Sequence, residues 1–314
     1  AAGVDILVAV LGFLVGAGFA VAGAGAASPL LGLAIAPLFA LPFILPGELR
    51  QTTGGTVDRA RLRAYAAYGY PIAASLTLAL ILASTDRFLL AAFMDAAAVG
   101  AYHASYSLAN RTLDVIFIWL GAAGAPAMVM ALERGGREAL RKTALEQGST
   151  LILIGLPAAV GLSLVARPMA ELMIGRNLRD AAALVTPWIA ASSFLSGLIA
   201  YYFGFGFTLG KKTGLLLITM AIPALCNVVL NLMLIPRLGV AGAAISTAAS
   251  FAIGLIACLL LSRRAIALPV PWDALARCGL ASAVMAAVVL MLPPLGGLVE
   301  LILDAGVGGL VYAG

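Results

Sequence analysis

Apolar and polar positions along this chain fall in long blocks rather than alternating residue by residue. Runs of about 18 or more apolar residues recur over the whole length, each able to cross about 30 Å of hydrocarbon as a helix rising about 1.5 Å per residue. The pattern predicts about ten membrane segments, at 4–22, 29–46, 69–93, 102–131, 148–166, 182–208, 213–235, 240–262, 276–293 and 298–314. The last is the most polar, with Glu300 and Asp304 in its first turns. The alternation of membrane β-barrel strands is absent. The expected fold class is all-α, a polytopic transmembrane helical bundle.

Composition agrees. The 314 residues are 63% hydrophobic and 11% charged, with a mean hydropathy of +1.08. Such a chain has too little polar surface to face water on all sides. The net charge of +5 reports topology rather than nucleic-acid binding. One set of loops holds Arg50, Arg59, Arg61, Arg63, Arg134, Arg137, Arg141, Lys142, Lys211, Lys212, Arg263, Arg264 and Arg277. The other holds only Arg167, Arg176, Arg179 and Arg237. The positive-inside bias makes the first set cytoplasmic. The helix beginning at 69 then runs outward and the one beginning at 102 runs inward.

The polar segment PGELRQTTGGTVDRARLRAYAAY, 46–68, reads as a cytoplasmic linker (47–68) whose arginine-rich half suits a short amphipathic helix along anionic headgroups. RPMAELMIGRNLRDA, 167–181, suits an interfacial or partly re-entrant helix on the outer side. Cys226, Cys258 and Cys278 lie in or beside apolar runs without disulfide or metal spacing, and read as core residues. The chain opens on AAGVDILV and closes on VYAG within an apolar run, which predicts a fragment of a longer protein.

The chemistry concentrates in two consecutive segments. STDRFLLAAF, 84–93, sets Asp86 and Arg87 side by side in the outer half of a helix. In the next, His103, Ser107, Asn110, Arg111 and Asp114 recur at spacings of three and four and share one helical face. The opposite face, with Leu108, Ile116 and Trp119, is apolar. A charge at the centre of a membrane helix costs about 2.5–3.5 kcal/mol on insertion scales, so such residues face partners or a hydrated cavity. Two readings stay open. Asp86 and Arg87 staple helices, or the deep charges line a cavity in which guanidinium forks meet an anionic ligand. An Asp86–Arg111 pair across the two helices is geometrically open.

Other features are read as structural. Asn227 and Asn231, one turn apart, suit hydrogen bonds across helices. Ser192, Ser193, Ser196, Tyr201 and Tyr202 suit packing or a pore wall, and His103 a surface or capping role. The stretches AAVGAYHASYSLAN (97–110) and LGVAGAAISTAASF (238–251) echo each other weakly.

Residues 69–110 resemble the start of the second lobe of polysaccharide flippases, the O-antigen and exopolysaccharide lipid-linked oligosaccharide exporters of the multidrug/oligosaccharidyl-lipid/polysaccharide superfamily. The pattern is a Gly-x-Pro start at Gly69–Pro71, Asp-Arg-x-x-Leu at Asp86–Leu90, Val-Gly-x-Tyr at Val99–Tyr102 and a run of Ala and Ser. NVVLNLMLIPRLGVAGAAISTAAS, 227–250, resembles the same family's Asn-x-x-x-Asn, Ile-Pro and Gly-x-x-Gly-Ala-Ala passage. The resemblance covers roughly 60–265.

It implies a two-lobe architecture with the first lobe incomplete. Residues 1–46 would be the last two helices of that lobe, with about four earlier helices missing. Residues 69–265 would be the second six-helix lobe and 266–314 a truncated additional pair. The implied function is flipping of a polyprenyl-diphosphate-linked oligosaccharide across a bacterial cytoplasmic (inner) membrane by alternating access. The implied partners are that anionic lipid, membrane lipids, and a glycan polymerase and glycosyltransferases. The expected substrate cavity is formed by Arg87, Arg111, Asp86, Asp114, Asn110 and Ser107. No cofactor, metal or catalytic residue is expected, and there is no nucleotide-binding loop. The alternatives are a cation-coupled multidrug exporter of the same superfamily, a membrane glycan polymerase or transferase, and a structural subunit.

Overall fold

The computed structural model describes residues 2–52 and 58–314. Among the described residues the regular elements are all helical, and each expected membrane segment falls on a helix. The chain divides into two units, Ala1–Arg63 and Ala64–Gly314.

The first unit is built on a hairpin of α1 (Ala2–Val21) and α2 (Ser28–Thr52), joined through a 3-10 turn at Gly25–Ala27. Small residues bring the two backbones together. A Cβ placed on Gly32 would lie 2.8 Å from the Gly16 nitrogen and would overlap the Gly12 carbonyl. Such close approach is how membrane helices gain dispersion contact without a hydrophobic driving force. The middle of the expected linker, residues 53–57, lies outside the described residues, as does the side chain of Arg50.

The arginine-rich half of that linker is not a separate element. It is the start of α3 (Arg59–Phe93). Asp58 accepts the Ala60 N–H at 2.8 Å and the Arg61 N–H at 3.3 Å, which is the bonding of a helix N-cap. With the end capped there, the helix continues without interruption into the apolar stretch.

In the second unit, α3 is followed by α4 (Ala96–Leu164), capped by Asp95, which accepts the Ala98 N–H. Gly136, at φ 66° and ψ −155°, breaks α4 into two legs. That conformation is essentially restricted to glycine. The break sits among Arg134, Arg137, Arg141 and Lys142. Next come α5 (Ala166–Met173), α6 (Arg179–Leu198), a π-turn at Ile199–Phe203 and α7 (Phe205–Leu209). They are followed by α8 (Thr213–Leu238), α9 (Val240–Ser262), α10 (Trp272–Val289) and α11 (Gly297–Ala313).

The outer segment expected at 167–181 contains α5, which buries Ala166, Pro168 and Ala170 and turns Arg167, Leu172 and Met173 outward. Among the described residues, six helical segments are long and apolar enough to cross a membrane: α3, α4, Arg176–Leu209, α8, α9 and α10. Of these, Arg176–Leu209 is the centre of the unit. Its apolar window is 61% buried, whereas that of α3 is 17% and that of α9 39%.

Aromatic rings wedged into glycine notches hold that centre in place. Gly197 of α6 lies against the ring of Phe117 on the first leg of α4. Gly155 on the second leg receives the Phe117 and Phe194 rings, whose centroids are 6.1 Å apart. Gln147 on the second leg donates to the Leu120 carbonyl on the first at 2.7 Å. The two legs of α4 thus grip α6 through both dispersion and a cross-leg hydrogen bond.

Candidate functional site

Helical spacing sorts the deep polar residues into two groups. Consecutive residues on an α-helix point about 100° apart, so Asp86 and Arg87 leave α3 in different directions.

Asp86 turns into the packing of α3, α4, α8 and α9, where it is 0% exposed. One carboxylate oxygen accepts Asn231 Nδ2 at 2.6 Å. The other accepts the Tyr102 hydroxyl at 2.6 Å and Thr247 Oγ1 at 2.8 Å. Asn231 Nδ2 also reaches Asn227 Oδ1 at 2.9 Å. Four helices therefore meet on one carboxylate that has no ion-pair partner among the described residues. The donors are all neutral and the acceptors all oxygen. Asn231 Oδ1 is buried without a hydrogen-bond partner.

Arg87 turns instead along α4. Its guanidinium carbon lies 5.1 Å from the centroid of the Tyr106 ring, within cation–π range. Its Nε is buried without a partner. Tyr102 and Tyr106, one turn apart on α4, stack with centroids 6.1 Å apart. They join the two groups.

One and two turns further along α4, Asn110 donates to the Asp114 carboxylate and accepts the Ser193 hydroxyl from α6 at 2.9 Å. Asn110, Asp114 and Ser107 are half-buried, while Arg111 and His103 are exposed on the same helix. No ion pair to Arg87 or Arg111 forms among the described residues.

The Asp86–Arg111 pair open to the sequence does not form. Asp86 is also not on a lining surface, because three hydrogen bonds to α4, α8 and α9 hold it inside the packing. The remaining expected residues, Arg87, Ser107, Asn110, Arg111 and Asp114, stay on or beside one face of α4. Tyr102, Tyr106 and Thr247 are the members that pattern reasoning passed over. Their signal lay in the echo of 97–110 and 238–251, whose small-residue helices carry Tyr102 and Thr247, 3.3 Å apart at their oxygens.

Residues 1–183 match the model of a family described as polysaccharide biosynthesis protein. The chain belongs to this family. The matched region holds α3 and the first leg of α4, and so both groups' central residues from Asp86 to Asp114. No curated protein matches the sequence. Among solved structures, the chain is similar to one described as lipid II flippase MurJ, inward closed conformation. The TM-score is 0.70 at 15% identity, covering 98% of this chain and 64% of that one. At that identity the likeness establishes the fold, a multi-pass membrane bundle, and the chain spans 64% of the other's length.

Clusters of three or more His, Cys, Asp or Glu that would hold a metal ion do not occur among the described residues. The Asp86 group is of another kind. Its single carboxyl group and the oxygens of Asn227, Asn231, Thr247 and Tyr102 form a set of hard oxygen donors. Oxygen ligands of this kind suit an alkali or other hard cation. The orphaned Asn231 Oδ1 leaves one acceptor in the set unused.

Proposed function

We propose that this chain is part of a transporter that flips a polyprenyl-diphosphate-linked oligosaccharide from the inner to the outer leaflet of a bacterial cytoplasmic membrane. Family membership and the flippase-like fold support the reading. One observation carries it: the deep carboxylates are engaged by neutral donors while the deep guanidiniums have no carboxylate partner among the described residues. Asp86 is held by Tyr102, Asn231 and Thr247, and Asp114 by Asn110. Arg87 rests on the Tyr106 ring and Arg111 is exposed. Uncompensated positive charge on a membrane helix face invites an anion, and guanidinium forks match phosphate oxygens. A multidrug exporter of cations would need the reverse arrangement, free carboxylates and neutralised arginines.

In this reading Arg87 and Arg111 hold the diphosphate, and Asn110, Asp114 and Ser193 set the orientation of that face. The polyprenyl chain stays in lipid. The chain moves its substrate without making or breaking covalent bonds, and glycosyltransferases and a polymerase act before and after it. The Asp86 group fits a monovalent cation held by Asp86, Asn227, Asn231 and Thr247. When bound, that ion supplies the positive charge that the buried carboxylate lacks.

The test is export of lipid-linked glycan by cells whose only copy carries Arg87→Ala or Arg111→Ala. Both variants insert into the membrane and lose export; Arg111→Lys recovers part of it. Normal export by both alanine variants would remove the anion-binding role. Loss of the protein from the membrane would assign the arginines to packing instead.

A further inference from the structure

The connection between α9 and α10 lies outside the site described above. Residues 263–271 run as an irregular strap beside α7 and the start of the second leg of α4, and three contacts pin it. The Tyr202 hydroxyl lies 2.8 Å from the Pro269 carbonyl and 2.9 Å from that of Ala144 on the second leg of α4. Leu268 is sunk in the core, 5% exposed. The Ile266 carbonyl approaches Gly206 so closely that a Cβ there would overlap it. The strap is thereby held rigid beside the first turns of the second leg.

Between strap and leg lies a cleft of about 370 Å³. Its floor is apolar, from Leu140, Ile266 and Leu268, and its exposed rim carries Arg137, Arg141 and Arg263. Glu138 is the one carboxylate in the lining. It sits 3.8 Å from Arg141 with both side chains largely in the open, an arrangement that neutralises little. Trp272, 71% exposed, follows the strap directly, and an outward-facing Trp marks the headgroup level of a bilayer. All three arginines belong to the loop set that the charge bias places on the cytoplasmic side.

We infer that this cleft binds an anionic phospholipid of the inner leaflet, its phosphate on the three arginines and its glycerol and first methylenes on the apolar floor. Guanidinium forks on two rigid elements match phosphate oxygens. Basic pockets between helix ends on the cytoplasmic side take anionic headgroups. The apolar floor gives a lipid an anchor that inorganic phosphate would not use.

The experiment is native mass spectrometry of the whole chain in detergent, titrated with dioleoylphosphatidylglycerol, with dioleoylphosphatidylcholine as the zwitterionic arm. The anionic lipid is expected to bind, and Arg137→Gln/Arg141→Gln/Arg263→Gln to weaken it about tenfold or more. Removing the same number of charges from the opposite loop set, by Arg167→Gln/Arg176→Gln/Arg237→Gln, all exposed, is expected to leave it unchanged. Should the triple cleft variant fail to fold, Arg263→Gln alone is the reporter, with a loss of about threefold. Equal binding of the two lipids, or equal losses in the cleft and control variants, overturns the site. Full displacement of the lipid by excess inorganic phosphate reassigns the cleft to a free phosphate and overturns the lipid assignment.

Discussion

Asp86 and Arg87 are adjacent in the chain and do not pair. The Asp86 carboxylate takes the Tyr102 hydroxyl at 2.6 Å inside a four-helix junction, while the Arg87 guanidinium carbon rests 5.1 Å from the Tyr106 ring centroid. One turn of α4 separates the two tyrosines, so the same pair of helices holds a buried carboxylate and a guanidinium that rests on an aromatic ring. If Arg87 holds the anion as proposed, stability and recognition are separable by mutation at neighbouring positions.

Asp86→Ala is expected to lower stability, because it removes the acceptor shared by Tyr102, Asn231 and Thr247; Asn231 keeps the Asn227 oxygen and Thr247 the Ala243 carbonyl, which leaves the Tyr102 hydroxyl with only a 3.3 Å approach to Thr247. Each unsatisfied buried polar group costs about 1–3 kcal/mol. A drop of several degrees in the thermal midpoint in detergent, beyond that of Arg87→Ala, is the expected result. Asp86→Asn keeps the shape and removes the charge. It should retain most of the stability and abolish any stabilisation by added sodium salt relative to choline salt.

Tyr106 tests the aromatic contact of Arg87. Tyr106→Phe keeps a ring under the guanidinium, while Tyr106→Leu removes it. A cation–π contact is worth about 0.5–2 kcal/mol. Export should therefore survive the first change and fall severalfold in the second, read as glycan delivered to the cell surface at equal protein level.

Gly197→Ala is expected to destabilise although alanine is the better helix former, since the new Cβ would overlap the Phe117 ring. Overpacking of this kind costs about 1–3 kcal/mol. Paired with Phe117→Leu, which vacates the notch, the loss should be partly recovered. A double-mutant cycle on thermal midpoints shows whether the two positions couple.

Gly136→Ala would force φ 66°, ψ −155° on a residue with a side chain. Strain in that region is about 1–3 kcal/mol. The expected outcome is a lower thermal midpoint, with the cross-leg bond from Gln147 to Leu120 weakened as the break shifts. Crosslinking between cysteines introduced on the two legs reads that change directly.

Most of the architecture was legible in the chain itself. Apolar runs long enough for hydrocarbon leave a helix as the solution, since its backbone satisfies its own polar groups where no water is present. The face of α4 bearing Ser107, Asn110, Arg111 and Asp114 followed from spacing, because helical period is a local property. The start of α3 lies earlier than the apolar run predicts. A run of arginines looked like a linker, and only the capping by Asp58 shows that the helix already begins there.

The destinations of Asp86 and its partners were not readable in the same way. Tyr102, Asn231 and Thr247 are separated from Asp86 by 16, 145 and 161 positions. Periodicity along one helix says which face a residue shares, not which neighbour fills that face. The sequence by itself determined the helices, their order, the charge bias and the polar stripe, because these depend on side chains within a turn or two of one another. Only the tertiary structure decided that one carboxylate is sealed among α3, α4, α8 and α9 while its neighbouring arginine turns away from it onto the Tyr106 ring. That choice depends on packing between distant segments.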